Sequence, residues 1–218
     1  MAGKYEDIRR NYTRGGLTDG ALGDSPLPLF RRWVDQAVAA ELADPTAMSL
    51  ATIDCDGRPW QRIVLLKEIL ESGLVFFTNY RSAKAEAMRD HPAVSALFPW
   101  NELDRQVAVG GLVQRLDRQE SATYFRSRPR ESQLAAWASR QSSPIASRAD
   151  LDAQYDSVKE RFKDRDVPVP DFWGGYLLIP DQFEFWQGGS HRMHDRIRSS
   201  RTGVEGGEGA WRWERLQP

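Results

Sequence analysis

One cysteine, Cys55, is present in 218 residues, so no intrachain disulfide can staple this chain. That suits a reducing compartment. Charge of neither sign dominates, because 30 Lys and Arg against 31 Asp and Glu leave a net charge of −1. A global affinity for nucleic acid or an anionic membrane would need a basic surplus, so any positive site must be local. Long apolar runs are missing, and no stretch approaches the ~20 residues of a membrane helix. The opening residues MAGKYEDIRRNYTRGG contain no apolar core of a secretory signal. A cytoplasmic protein without membrane or nucleic-acid partners is therefore expected. Histidine is scarce: His91, His191 and His194 are the three, and with Cys55 they form no metal-ligand spacing, so no metal is expected. There is no GxGxxG, and no alternation of strands with helices that would build a Rossmann sheet.

Tryptophan is abundant, with eight in the chain, several beside polar residues as in Phe185-Trp186-Gln187. Such rings bury large areas and mostly build core; one or two could wall a planar ligand. Residues 1–26 are polar and weakly periodic, which predicts a mobile N-terminal segment. Leu29, Trp33, Ala37 and Leu42 mark a helix over 27–43, stopped at Asp44-Pro45. Strands are expected at 47–54, 61–69 and 73–80, with Asp56-Gly57 as a hairpin turn. A short helix over 82–92 precedes strands at 93–100 and 105–117. Gly110-Gly111 inside the last of these suggests a bulge or a close backbone approach. Helices follow over 118–128, 129–140 and 148–163. Two strands, YLLIP and QFEFWQ, then lead to HRMHDR, read as a further strand, and 199–209 reads as a glycine-rich hairpin loop. Hairpin-linked strands with helices between them fit an antiparallel barrel with packed helices.

Cations recur at places suited to small anions. Arg62 and Lys67 stand near the two ends of the apolar strand QRIVLLK; on an unbroken strand they face opposite sides. Thr78-Asn79-Tyr80-Arg81-Ser82-Ala83-Lys84 turns from strand end into helix, a possible phosphate cradle. Tyr124-Phe125-Arg126-Ser127-Arg128-Pro129-Arg130-Glu131-Ser132 crowds three arginines at a helix break, and arginine forks match phosphate. Read as a strand, HRMHDR puts Arg192, His194 and Arg196 on one face, a row of positive charge that an anionic ligand would relieve. Each pattern also has a plain structural reading, as solvated arginines or snorkelling strand ends. Together they describe a β-rich protein for phosphorylated, planar small molecules.

In order and spacing, RRNYTRGGL, QRIVLLK, YFRSRPRESQLAAW, RQSS, FWGG and EFWQGG…HRMHDR resemble the pyridoxamine 5′-phosphate oxidase family over nearly the whole chain. The resemblance implies an α+β fold, an antiparallel split β-barrel surrounded by helices, over 27–218. It implies a homodimer with active sites at the subunit interface, and flavin mononucleotide (FMN) as cofactor. The implied reaction is oxidation of pyridoxamine or pyridoxine 5′-phosphate by O2 to pyridoxal 5′-phosphate, releasing H2O2 and, from the amine, ammonia, in the making and salvage of that product. For FMN it implies Arg62, Ile63, Val64, Leu65, Leu66, Lys67, Phe77, Thr78, Lys84, Gln106, Gln141, Ser142, Trp186 and Arg196. For the substrate phosphate it implies Lys67, Tyr124, Arg128 and Ser132; for the reactive end, Arg192 and His194. Arg9 to Tyr12 would close over the bound substrate, with Arg9 and Tyr12 in contact. One position departs from the pattern: Ser82-Ala83-Lys84 stands where many members carry Ser-Arg-Lys, with Arg81 as a candidate substitute. A flavin reductase would not need the substrate-phosphate set, and a carrier would bind without consuming oxygen.

Overall fold

The computed structural model describes residues 12, 16–18, 20, 22–203 and 209–218. Among them are five α-helices: α1 (Pro26–Ala39), α2 (Ala83–Asp90), α3 (Arg118–Ser127), α4 (Arg130–Ala138) and α5 (Arg148–Arg161). Nine strands are β1 (Ala47–Ile53), β2 (Pro59–Leu65), β3 (Glu68–Ile69), β4 (Leu74–Asn79), β5 (Ala93–Trp100), β6 (Arg105–Arg115), β7 (Trp173–Gln187), β8 (Asp195–Arg201) and β9 (Trp211–Leu216). They hydrogen-bond in the order β2-β1-β5-β6-β7-β4-β3, and β8 joins β7 to β9. The chain divides into two compact units. One comprises Met1–Met48, Ala96–Gly110 and Asp181–Pro218; the other Ser49–Ser95 and Gly111–Pro180.

In the first unit, α1 is started by Ser25, whose side chain accepts from Leu27 N–H, with Pro26 at the first helical position. Its apolar stripe buries Leu29, Phe30, Trp33 and Ala37. Phe30 is fully buried, with ring centres 4.9 Å from Phe98 and 5.7 Å from Phe183, while Trp33 meets Phe185 edge-on at 5.4 Å. The tryptophan surplus is largely accounted for here: Trp100, Trp211 and Trp213 join the same aromatic core. The helix ends four residues before the expected Ala43, because Glu41 takes a left-handed φ of 53°.

In the second unit, β4 pairs antiparallel with Trp173–Leu178 of β7. A small core of Phe125, Leu134, Phe162, Val167 and Trp173 holds α3, α4 and the end of α5 against it. Asp117 and Ser147 cap α3 and α5 with their side chains. Gly111 is approached by the Ile179 carbonyl so closely that a Cβ would collide with it, which is the close approach expected of that pair.

Three expectations are corrected. YLLIP and QFEFWQ are one strand, β7, which runs through Pro180 without a break. The stretch 61–69 is two strands, since the ladder of β2 stops at Leu65 and Lys67 N–H bonds to Val75 O before β3. Residues 199–201 belong to β8, paired with Trp213, Arg212 and Trp211, so the loop to β9 begins at Thr202.

Candidate active site

In the second unit a cavity of about 650 Å³ opens over β2, β4 and the α3–α4 junction. That is an ordinary size for a small-molecule site. Its wall includes Ile63, Val64, Leu65 and Lys67 from β2 and the link after it, with Phe77 and Thr78 from β4. Lys84 of α2, Tyr124 and Arg128 near the end of α3, Ser132 of α4 and Gln141 beyond α4 complete the expected part. Asn79, Ser127, Ser139 and Trp173 also line it, although the resemblance assigned none of them to a ligand; Asn79 and Ser127 fall within the two anion-suited stretches read from the sequence. Leu66 is buried in the core and is not among the lining residues. Arg81 is not among them either; its guanidinium lies over the Phe172 ring, 4.8 Å from the centre.

One wall is aromatic. Phe77 stacks on Tyr124 with centres 3.9 Å apart and on Trp173 at 5.3 Å. The stack is possible because Gly175 sits beneath it: a Cβ there would stand 2.9 Å from Phe77 Cε1. The FWGG motif thus supplies Trp173 to the wall and Gly175 beneath it, both from the start of β7.

The charged groups are mostly cations without carboxylates. Lys84 is buried, and its Nζ donates to three neutral acceptors: Gln141 Oε1 at 2.9 Å, Thr78 Oγ1 at 3.1 Å and Ser82 Oγ at 3.2 Å. Burial first, and the nearby charge of Arg62 second, push its pKa down to about 8. Arg62 is not among the lining residues; from β2 it donates to Thr52 Oγ1 at 2.7 Å and Leu50 O at 3.1 Å, both in β1. Burial lowers its pKa also. Arg128 lies 4.7 Å from the centre of the Trp173 ring, and its Nη1 is buried with no hydrogen-bond partner. Desolvation lowers its pKa, against a smaller opposing effect of Tyr124. A buried ammonium and half-buried guanidiniums with no carboxylate beside them are costly unless an anion completes them. Phosphate, with several strong acceptor oxygens and a double negative charge, fits both the Lys84–Arg62 group and the Lys67–Tyr124–Arg128–Ser132 group.

The remaining expected residues lie in the first unit, save Ser142, which is exposed in the second with a left-handed φ of 72°. Tyr12, Trp186 and His194 form an aromatic cluster, with Tyr12 edge-on to Trp186 at 5.5 Å and to His194 at 5.2 Å. His194 Nδ1 accepts from Gly189 N–H at 3.0 Å, which leaves the ring proton on Nε2. Gln106 lies half-buried in β6. Arg9 falls outside the described residues.

The expected same-face row of Arg192, His194 and Arg196 does not exist. Residues 190–192 form a single 3₁₀ turn, with left-handed φ of 54° at His191 and 63° at Arg192, and β8 begins only at Asp195. Strand alternation therefore does not apply. Non-glycine residues in that region cost ~1–3 kcal/mol each and cluster at functional sites. Arg196 is matched by protein: its Nε donates to Glu184 Oε1 at 2.6 Å, which raises its pKa. Among the described residues no group of three or more His, Cys, Asp or Glu is arranged for a metal, and no helix is long and apolar enough to cross a membrane.

An antiparallel sheet with flanking helices thus carries a stacked aromatic wall and cations beside a cavity suited to a phosphorylated, planar ligand. A solved structure of PhzG from Burkholderia lata 383, in complex with tetrahydrophenazine-1-carboxylic acid, superimposes with a TM-score of 0.85 at 28% identity. It covers 93% of this chain and 98% of that one. A pyridoxamine 5′-phosphate oxidase-related, FMN binding protein from Nostoc punctiforme PCC 73102 shares the fold, with a TM-score of 0.70 at 17% identity over 87% and 97% of the two chains. The family model described as pyridoxamine 5′-phosphate oxidase matches residues 34–162. A second, described as the pyridoxine 5′-phosphate oxidase C-terminal dimerisation region, matches 173–218. The pyridoxine/pyridoxamine 5′-phosphate oxidase of Pectobacterium atrosepticum is 51% identical over 212 residues, 97% of this chain and 91% of the relative. The chain belongs to the pyridoxamine 5′-phosphate oxidase family, and the α+β split-barrel fold expected from its motifs is borne out.

Proposed function

We propose that this protein is an FMN-dependent oxidase that converts pyridoxamine 5′-phosphate and pyridoxine 5′-phosphate to pyridoxal 5′-phosphate, with O2 as acceptor and H2O2 as product; with the amine, water hydrolyses the imine and ammonia leaves. It serves the making and salvage of that cofactor, works in the cytoplasm, and acts as a homodimer. Family membership supports the reaction, and the match to a dimerisation region supports the assembly. The observation that carries the reading is the buried Lys84 ammonium, held by neutral acceptors and lining one cavity with Lys67 and Arg128, with the charge of Arg62 nearby.

When bound, FMN supplies the two-electron acceptor and the link to oxygen, chemistry that belongs to the cofactor. The protein's part is placement. Lys84, Arg62 and Thr78 would hold the cofactor phosphate, with Gln141 orienting Lys84 by accepting a hydrogen bond from its Nζ. Ile63, Val64, Leu65 and Phe77 give the apolar wall for a planar ring. Leu66 acts from the core by fixing the link on which Lys67 stands. Gln106, Ser142, Trp186 and Arg196 complete cofactor recognition. Lys67, Tyr124, Arg128 and Ser132 clamp the phosphate of the substrate, at a distance from the reacting carbon. Such remote binding energy fixes orientation so that reacting atoms meet within about 3–3.5 Å. Arg192 and His194 orient the reactive end and assist removal of the proton. Arg9 and Tyr12, in the segment 1–26, close over the substrate and exclude water.

The test is oxygen consumption by the purified protein supplied with FMN and pyridoxamine 5′-phosphate. Uptake of oxygen with formation of pyridoxal 5′-phosphate and peroxide is expected. A protein that binds FMN yet consumes no oxygen with this amine overturns the reading in favour of a carrier.

A further inference from the structure

Asp195 and Arg215 stand outside the residues assigned above, although Asp195 directly follows His194. Asp195 opens β8 and Arg215 lies in β9, the strand paired to it. Arg215 Nη1 and Asp195 Oδ1 form an ion pair. Their other atoms converge on one residue of the N-terminal segment. Leu17 N–H donates to Asp195 Oδ2 at 2.8 Å, and Arg215 Nη2 donates to Leu17 O at 3.1 Å. The backbone of Leu17 is thus gripped at both its polar groups by two partners that also grip each other. Leu17 is 6% exposed, so the grip is shielded from solvent. Gly16 makes the approach possible, since a Cβ there would stand 2.9 Å from Asp195 Oδ2.

Five residues upstream, Tyr12 lies against His194 and Trp186. Its seat is Gly188, where a Cβ would stand 2.7 Å from Tyr12 Cγ. Five residues of extended chain reach at most ~18 Å, so fixing Leu17 limits where Tyr12 can go.

We propose that Asp195 and Arg215 are a positioning pair, a clasp that sets the exit point of the N-terminal segment and thereby seats Tyr12 against His194. The proposal rests on the reading that Tyr12 and His194 serve the substrate. Neither Asp195 nor Arg215 need touch it. Loosening the clasp lets the segment sample positions away from His194, and the substrate must then order it on binding, which weakens binding more than turnover.

The experiment compares Arg215→Ala, Arg215→Lys, Tyr12→Ala and the double variant Tyr12→Ala/Arg215→Ala as full-length, FMN-loaded proteins. Steady-state kinetics with pyridoxamine 5′-phosphate are measured alongside the rate of trypsin cleavage after Arg14, followed by mass spectrometry. Arg215→Ala should raise KM roughly fivefold with little loss of kcat, and Arg215→Lys should recover most of it. The double variant should be no worse than Tyr12→Ala alone, because the clasp acts through Tyr12. Cleavage after Arg14 should speed up several-fold in Arg215→Ala. If that variant does not fold, Asp195→Asn replaces it, since it removes the ion pair and keeps a neutral acceptor for Leu17. Multiplying KM effects in the double variant, or an unchanged KM and cleavage rate, overturns the clasp. A wild-type protein that lacks oxidase activity while the variant is still cleaved faster would defeat the functional reading and leave the clasp standing.

Discussion

Lys84 Nζ and Gln141 Oε1 lie 2.9 Å apart, joining the first turn of α2 to the segment after α4 across 57 positions of sequence. The acceptor is neutral, and so are the other two acceptors of that ammonium. A buried lysine held this way keeps its proton less firmly than an exposed one, and its pKa is down to about 8. Two consequences follow for pH.

In the unfolded chain the lysine holds its proton up to its usual range near 10.5; in the empty folded protein it releases it near 8. Between these values the unfolded state binds more protons, so stability of the FMN-free protein should gain from this group as pH rises from about 8. A phosphate dianion placed against Lys84 favours the charged form and reverses the shift. FMN binding near pH 8.5 should therefore take up protons, because the phosphate itself is already fully ionised there. Titration calorimetry in buffers of different ionisation enthalpy reads this directly. Lys84→Met should abolish the uptake and weaken FMN binding.

The two arginines of the proposed substrate site should separate kinetically. Arg128→Ala removes a charge-assisted phosphate contact, worth ~1.5–3 kcal/mol, and should raise KM about ten- to a hundredfold. Arg192→Ala should mainly lower kcat. Equal effects on both constants in both variants would contradict the division of roles.

Ala83 is the exposed first residue of α2, and the Arg81 guanidinium lies over the Phe172 ring and outside the cavity lining. Ala83→Arg should tighten FMN binding by roughly tenfold, from one added charge-assisted contact. Equilibrium titration by quenching of flavin fluorescence measures it, and an unchanged affinity would count against the phosphate lying at this turn.

Phe30 anchors the core of the first unit, fully buried between Phe98, Trp100 and Phe183. Phe30→Ala should cost ~3–5 kcal/mol in urea unfolding. A loss under about 1 kcal/mol would mean that the aromatic cluster repacks around the gap.

Much of this was legible from local chemistry. The Pro129 break separates α3 from α4, so the arginine-rich turn between them was legible in the sequence, whereas Asp117, the cap that starts α3, reads there as the end of a strand. Hydrophobic alternation placed β1, β4 and β5 within a residue or so. What failed did so where tertiary contacts decide conformation. Nothing in His191-Arg192 signals left-handed backbone, because neither is glycine; the turn is held by Met193 N–H to Ser190 O and by Gly189 N–H to His194. Nor could alternation show that Arg196 is matched by Glu184, twelve residues away on the neighbouring strand. That pairing depends on register, which the loop from β7 to β8 fixes. The neutral environment of Lys84 was equally hidden, since Gln141 comes from a stretch whose sequence carries no signal of its own.

The most direct measurement mixes the FMN-loaded protein with pyridoxamine 5′-phosphate in the absence of oxygen and follows the visible flavin absorbance. The account predicts that the yellow colour bleaches as pyridoxal 5′-phosphate forms, one product per flavin, and returns when oxygen is admitted. Flavin colour that persists with the phosphorylated amine at saturating concentration would contradict it.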